Sequence, residues 1–423
     1  MNKYITTLIL FSLSFSCFGQ TWRHLLLQGE TDFKKIQKAF YDEWDGRVVE
    51  RGSGYKQFKR WEDLMRTRLD ANGQILNIAD NYRLKKKLQT EKEIASKTGT
   101  PNNAWTSLGL QSWFNDNAGY NPGHGRINAL YAPDDTDNTI YVGAPVGGLW
   151  RKTDQSEWEL LTDGFTNVGI TDIYVDPDDH DKIMILTGDA YGNVSKSIGI
   201  LTSEDGGTTW NETGLKHAYN NGKYYYKMEV LPSDKNVIMV VGTPGILRSA
   251  DGGSTWSAPL DLFTMTDLVI HPVEHNIMYA SGSDSRMEFV YYRSTDYGVT
   301  WQELTANVPT TNAVGRSALA VSADKPDYVY ILNVDGLGGY EGVYRSTDKG
   351  LSFEVMSASP NIIGSDPNQG GGQGIYDMAI AVNPENAEEV YVGGFNIYKS
   401  VNGGKNFDRI TDWVYNNNDA PYV

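Results

Sequence analysis

Over roughly residues 101 to 423 the chain alternates apolar and polar positions in short runs bounded by Gly, Pro and Asn, a period of two and not the helical 3.6. The runs come in pairs. Ala129 to Pro133 is followed by Ile140 to Gly143, Ile173 to Pro177 by Ile183 to Gly188, and Met228 to Pro232 by Val237 to Gly242. Leu268 to Pro272 is followed by Ile277 to Gly282, and Ala379 to Pro384 by Val390 to Gly393; one further unit has Ala323 where the Pro stands in the others. A third run leads into a turn, as in Val343 to Ser346 and Ile397 to Ser400, and a fourth leaves it, as in Trp301 to Leu304. Each unit therefore predicts four short strands.

The turn between the third and fourth runs is itself a repeat. Ser203-Asp205-Gly207-Trp210, Ser249-Asp251-Gly253-Trp256 and Ser294-Asp296-Gly298-Trp301 share one spacing, and Ser346-Asp348-Gly350-Phe353 and Ser400-Asn402-Gly404-Phe407 keep it with substitutions. A worn copy, Thr153-Asp154 to Trp158, precedes them. The acidic position falls at 154, 205, 251, 296, 348 and 402, separated by 51, 46, 45, 52 and 54 residues. A short acidic side chain accepts backbone N–H groups of its own turn, Gly supplies the left-handed backbone, and the aromatic residue closes the turn by packing. Four antiparallel strands at this period are the blade of a β-propeller, since each blade covers its faces only against neighbours around a ring.

This arrangement resembles the BNR or Asp-box superfamily, and especially the sortilin-like propellers of Bacteroidetes, over roughly residues 101 to 423. The resemblance implies an all-β propeller of about six visible four-stranded blades, seven or more in the intact protein. It implies no one activity, because such boxes occur on hydrolases and on receptors alike. Ala104 to Leu108 resembles the strand that follows a box, with no box before it, and is expected to join the last blade as its outer strand. That blade needs three strands from beyond Trp413, and only Val414 to Val423 remain, so the pattern predicts an end inside a seventh or later blade.

The first 100 residues read differently. Lys3, an apolar stretch from Ile5 to Phe18 and small Gly19 predict a signal peptide over residues 1–19; the stretch is shorter than the ~20 residues of a membrane span. Acylation of Cys17 is the alternative processing. Residues 20–100 form a helical segment and linker: Phe33, Ile36, Phe40 and Trp44 fall at helical spacing, and a second helix is expected from Phe58 to Leu69. Their aromatic residues are expected to pack on the propeller. Arg51 to Glu62 resembles a segment near the start of flavobacterial proteins exported by the type IX system, which implies the secretion machinery as a partner during export and a secreted or cell-surface location.

Charge narrows the choice of partner. Residues 21–100 carry 17 Lys and Arg against 12 Asp and Glu, whereas residues 101–423 carry 19 against 41, a net charge of -22. Such a body repels nucleic acid and anionic lipid. With Cys17 the one cysteine of the chain, disulfides and thiolate metal sites are excluded. No cofactor is expected. His271 and His275 flank a Pro and read as surface residues, not metal ligands. Gly370 to Gly374 lacks the Lys and helix of a phosphate loop and reads as a mobile loop.

Candidate chemistry lies at the start of each blade's innermost strand, which lines the channel. Asp172, Asp267 and Asp377 are the candidate catalytic carboxylates, and Asn128 and Lys227 hold the matching place in their blades. A pair of such carboxylates serves glycoside hydrolysis; the alternative is a ring of groups bonded to water or to neighbouring strands. In xyloglucan hydrolases, which Tyr141 to Arg151 resembles, the family's catalytic Asp corresponds to Pro145 here, and Pro transfers no proton. Arg126, Arg286 and Arg316 lack the Arg-Ile-Pro motif of sialidases. Long insertions at Thr187 to Ser197, His217 to Tyr226, Ser281 to Phe289, Asn333 to Gly342 and Asn361 to Gly374 join last to first or second to third strands and are expected to emerge on one face. Among them Tyr219, Tyr224 and Tyr225 suit a glycan or protein ligand. The expected function is a non-catalytic binding propeller, with a glycoside hydrolase or lyase as alternative.

Overall fold

The computed structural model describes residues 21–28, 30–48, 55–66, 69–75, 126–133, 136–163, 165, 168–192, 195–217, 222–261, 263–286, 288–305, 307–308 and 315–411. The signal segment, Ala104 to Leu108, Tyr219 and the last residues lie outside these. The chain divides into two compact units, Met1–Asn81 and Tyr82–Val423.

In the first unit, helices α1 (Thr21–Leu27), α2 (Phe33–Trp44) and α3 (Tyr55–Arg66) gather their aromatic residues into one cluster. Asp32 caps α2 by accepting the Lys35 N–H. Phe40 and Phe58 stack with centroids 3.6 Å apart, and Trp22 meets Phe58 edge-on at 5.2 Å. These rings bury one another, because three short helices need an apolar centre of their own. The second helix also starts earlier than expected, at Tyr55, and α1 was not foreseen.

Among the described residues the second unit folds as a β-propeller of six four-stranded antiparallel blades, each in simple meander order. Blade 1 holds β1 (Ala129–Tyr131), β2 (Ile140–Ala144), β3 (Gly148–Lys152) and β4 (Glu159–Leu160); blade 2 holds β5 (Ile170–Asp176), β6 (Asp179–Thr187), β7 (Gly199–Ser203) and β8 (Asn211–Lys216). Blade 3 holds β9 (Tyr225–Val230), β10 (Ile238–Gly242), β11 (Gly245–Ser249) and β12 (Ser257–Leu260); blade 4 holds β13 (Thr264–Ile270), β14 (Met278–Ser283), β15 (Phe289–Ser294) and β16 (Gln302–Glu303). Blade 5 holds β17 (Arg316–Val321), β18 (Val329–Val334), β19 (Tyr340–Ser346) and β20 (Glu354–Ser357); a single helical turn, α4 (Gly374–Asp377), leads into blade 6 with β21 (Ala379–Asn383), β22 (Asn386–Gly393), β23 (Ile397–Ser400) and β24 (Asp408–Arg409).

Burial runs between blades. Leu186 and Ile200 of blade 2 share a core with Tyr225 and Val240 of blade 3, Val241 and Ile246 of blade 3 with Leu268 and Tyr292 of blade 4, and Tyr279 with Leu319 and Ile331 of blade 5. Tyr330 and Val343 of blade 5 continue the series with Val390 and Tyr398 of blade 6. Blade 1 joins at Gly143, where a Cβ would stand 2.8 Å from the Ile170 side chain, so only Gly permits the approach. The Arg126 guanidinium, just before β1, lies 4.5 Å over the Tyr376 ring, just before β21. The series therefore curves about an axis instead of stacking in a line.

The box turns do what their residues predict. Asp251 Oδ1 accepts the Thr255 N–H at 2.8 Å and Oδ2 the Thr255 hydroxyl at 2.6 Å, and these bonds hold its carboxyl at about pKa 2. Ser249 Oγ donates to Asp251 at 2.8 Å and accepts the Gly253 N–H at 2.9 Å. Asp205, Asp296 and Asp348 repeat the pattern, and Asn402 keeps its backbone part. The Trp210, Trp256 and Trp301 indoles each donate to the carbonyl of the box glycine three residues back, at 3.0, 2.9 and 3.2 Å. Phe353 and Phe407 pack partly buried in the same role. Each complete box also donates a backbone N–H to the turn joining its blade's first two strands or to the start of the second, as Gly252 does to Asn236 and Gly206 to Asp181. That sets the boxes on the rim opposite the long insertions.

Replacing Ser249 by Ala leaves the buried Gly253 N–H without its acceptor, and is expected to lower stability by about 1–3 kcal/mol. Denaturant melts of Ser249→Ala beside the exposed-site control Lys216→Ala, expected to stay within about 0.5 kcal/mol, measure this.

Candidate functional site

The mouth of the channel is built by the first residues of the inner strands and by the long insertions. Five residues before each unit's Pro, or before the Ala that replaces it, stand Asn128, Asp172, Lys227, Asp267, Ala318 and Ala379. Asp172 Oδ1 accepts the N–H of Ile173 at 3.0 Å, and its Oδ2 accepts that of Met228, on the next blade, at 2.8 Å. Asp267 repeats this with Leu268 at 2.9 Å and with Leu319 of blade 5 at 2.7 Å. Both carboxylates are thereby blade-to-blade ties. Burial raises the Asp267 carboxyl, opposed by Lys227 and by the two amides.

Lys227 lies 3.5 Å from Asp172 and 3.8 Å from Glu229, and the Asp172 charge raises its ammonium above the ordinary range. Glu229 is a carboxylate the sequence reading missed. It sits two residues beyond Lys227 on the same strand face, with its side chain 28% exposed, and burial pushes it up to about 7 against the pull of Lys227. The strand period alone would have found it. Asn128 donates to Asp189 at 3.3 Å, and Asp189 is ion-paired with Arg126 at 2.5 Å. Asp377 was expected on the inner strand. It ends α4 instead, ahead of β21, because the Gly-rich insertion closes with a helical turn. Its Oδ1 is buried without a partner, and burial raises the group to about 6.

The tyrosines divide by role. Tyr225 is 1% exposed, its hydroxyl 2.7 Å from the His217 ring, so it belongs to the core between blades 2 and 3 and leaves no open face for a ligand. Burial and nearby Lys223 hold His217 down at about 4. The Tyr224 ring is capped by the Lys196 ammonium at 3.8 Å. Tyr191, from the insertion after β6, was not singled out by sequence yet reaches the mouth: its hydroxyl donates to Thr266 at 3.3 Å and its ring lies 5.0 Å from Tyr226. The Arg316 guanidinium covers it at 3.5 Å, and burial pushes its phenol up to about 12. Arg286 lies elsewhere, 73% exposed and paired with Asp284 and Glu288.

Two further expectations are corrected. His271 is 1% exposed, not a surface residue; its Nδ1 accepts the N–H of Val273 at 3.2 Å and of Glu274 at 2.9 Å. His271, Glu274 and Asp327 converge closely enough to suggest a metal. An Nδ1 that accepts leaves the hydrogen on Nε2 of the neutral ring, so the nitrogen facing Asp327 has no lone pair for an ion. Lys349 already pairs with Glu274 and Asp327, which fits an ion-pair network between blades 4 and 5 and not a metal site. The Gly370 to Gly374 loop, expected to be mobile, is tied down: Gly372 donates to Leu337 at 3.1 Å, Gly374 to Gly338 at 2.9 Å, and Asn361 to the Gln369 and Gly371 carbonyls at 2.7 Å each. Beside it a shallow cavity of about 220 Å³ is lined by Ser365, Asp366, Gln369, Gln373 and Phe395.

No protein-family model matches the chain. A xyloglucanase of Hypocrea jecorina (strain QM6a) is 26% identical over 269 residues, 56% of this chain and 32% of that protein. A xyloglucanase of Acetivibrio thermocellus is 24% identical over 273 residues, 58% of this chain and 27% of that protein. The chain thus spans about a third of the length of the curated relatives it matches. Among solved structures, the GH74 enzyme of Niastella koreensis superposes with a TM-score of 0.51 at 20% identity, covering 68% of this chain and 45% of that one. The protein is a β-propeller related at low identity to the xyloglucanases.

Because Glu229 is raised from its ordinary value, its ionisation opposes folding. That cost is absent below the unfolded value near 4.5, and grows as pH rises towards and past about 7. Glu229→Gln is therefore expected to be more stable than the parent at pH 8, with the gap closing by pH 5, in urea melts at the two pH values.

Proposed function

We propose that this chain is a secreted or cell-surface propeller that binds a glycan or protein at the loop-bearing mouth of its channel without catalysis. The observation that carries the reading is the fate of Asp172 and Asp267, each of whose carboxylate oxygens accepts a backbone amide from its own or the next blade. A general acid must give and take a proton at an oxygen that faces substrate, and these face the fold. In the turn after β2, Pro145 stands where the resemblance to xyloglucan hydrolases places an acid, and its carbonyl accepts the Ser195 hydroxyl at 3.2 Å. The insertions around the mouth supply rings, amides and charges of the kind that hold a ligand. Secretion rests on Lys3 and the apolar stretch to Phe18.

A hydrolase remains the second reading, favoured by the similarity to xyloglucanases and by Glu229 at about 7 and Asp377 at about 6, values suited to a general acid. A glycan array and a xyloglucan-hydrolysis assay on the full chain separate the two. The expected result is retained binding of at least one glycan or protein with no release of reducing sugar. Hydrolysis that disappears in Glu229→Gln or Asp377→Asn would establish the enzyme instead.

A further inference from the structure

Among the cations at the mouth, Arg126 is matched by Asp189 at 2.5 Å, and Lys227 by Asp172 and Glu229 at 3.5 and 3.8 Å. Arg316 is different. It forms an ion pair with none of the described residues, and its Nε is buried without a hydrogen-bond partner. Stacking on Tyr191 at 3.5 Å holds the guanidinium in place, with Tyr226 next to that ring at 5.0 Å. The charged and titratable groups that act on it come from every neighbouring element: Asp267 from β13, Asp377 from α4, Tyr226 from β9 and Tyr191 from the insertion after β6.

The nearby acids do not satisfy this cation. Asp267 is fastened by two backbone amides, and Asp377 makes no ion pair with it. A guanidinium held by stacking and by the Tyr191 phenol, with its Nε unpartnered, is an arrangement that receives a carboxylate by hydrogen bonding. The Tyr191 and Tyr226 rings beside it favour a sugar as the bearer of that carboxylate. We propose that Arg316, beside Tyr191 and Tyr226, forms a subsite for the carboxylate of a uronic acid residue in a glycan. This rests on the binding reading above and adds the ligand's charge. The net charge of -22 over residues 101–423 repels a polyanion at long range, but screening over about 8–10 Å leaves a short acidic oligosaccharide free to enter.

Isothermal titration of the full chain with trigalacturonate, its fully methyl-esterified form, cellotriose and tri-aspartate tests this. The acid trisaccharide is expected to bind at least tenfold more tightly than the ester; Arg316→Gln should bring it to the level of the ester, and Arg316→Lys should fall between. The acid-against-ester comparison on the unaltered chain needs no variant, so it stands even where Arg316→Gln fails to fold. Equal binding of acid and ester, an unchanged Arg316→Gln, or tri-aspartate binding as tightly as trigalacturonate each overturns the subsite. Binding of cellotriose with no preference for the acid overturns it while leaving the glycan-binding reading intact; no binding to any glycan removes the subsite and the glycan arm together.

Discussion

A four-stranded sheet has two faces and cannot cover both by itself, so everything in this propeller depends on how one blade is held to the next. Apolar packing supplies the adhesion, with Leu186 against Tyr225 and Tyr279 against Leu319 as representative pairs of blades. Packing alone is tolerant of sliding. The bonds from Asp172 to Met228 and from Asp267 to Leu319 are not, because each joins a carboxylate on one inner strand to one particular amide on the next. They set the register of the inner strands where the channel opens.

That constraint separates two rims with different duties. On one, the box turns close each blade through Ser, Asp and Gly, and bonds such as the Gly214 N–H to the Gly253 carbonyl and Lys349 to Glu274 tie them to the neighbouring blade. On the other, the inner strands begin and the insertions gather, and there the charged groups are shared between blades or left unmatched. Arg126 reaching from blade 1 to Asp189 of blade 2 and to Tyr376 before blade 6 shows how closely that rim is drawn together.

The fold was legible because the box is local. Ser249, Asp251, Gly253 and Trp256 satisfy one another within eight residues, so their spacing in the sequence is their geometry in space. The site was legible only as a set of positions. Periodicity placed Asn128, Asp172, Lys227 and Asp267 on equivalent strands, but whether a carboxylate faces solvent or a neighbour's amide is decided between blades, across 52 to 56 residues. Asp377 was misplaced because Gly374 to Asp377 form a helical turn that no strand period reveals. Tyr191 and Arg316 meet from different blades, and nothing local marks either as the partner of the other.

Site-resolved hydrogen exchange on the full chain and on two variants tests the central claim most directly. If Asp172 and Asp267 are ties between blades, the Met228 and Leu319 amides exchange among the slowest; Asp172→Ala speeds Met228 and not Leu319, while Asp267→Ala does the reverse. Exchange of both amides at loop-like rates in the parent chain, or no response to either substitution, would contradict it.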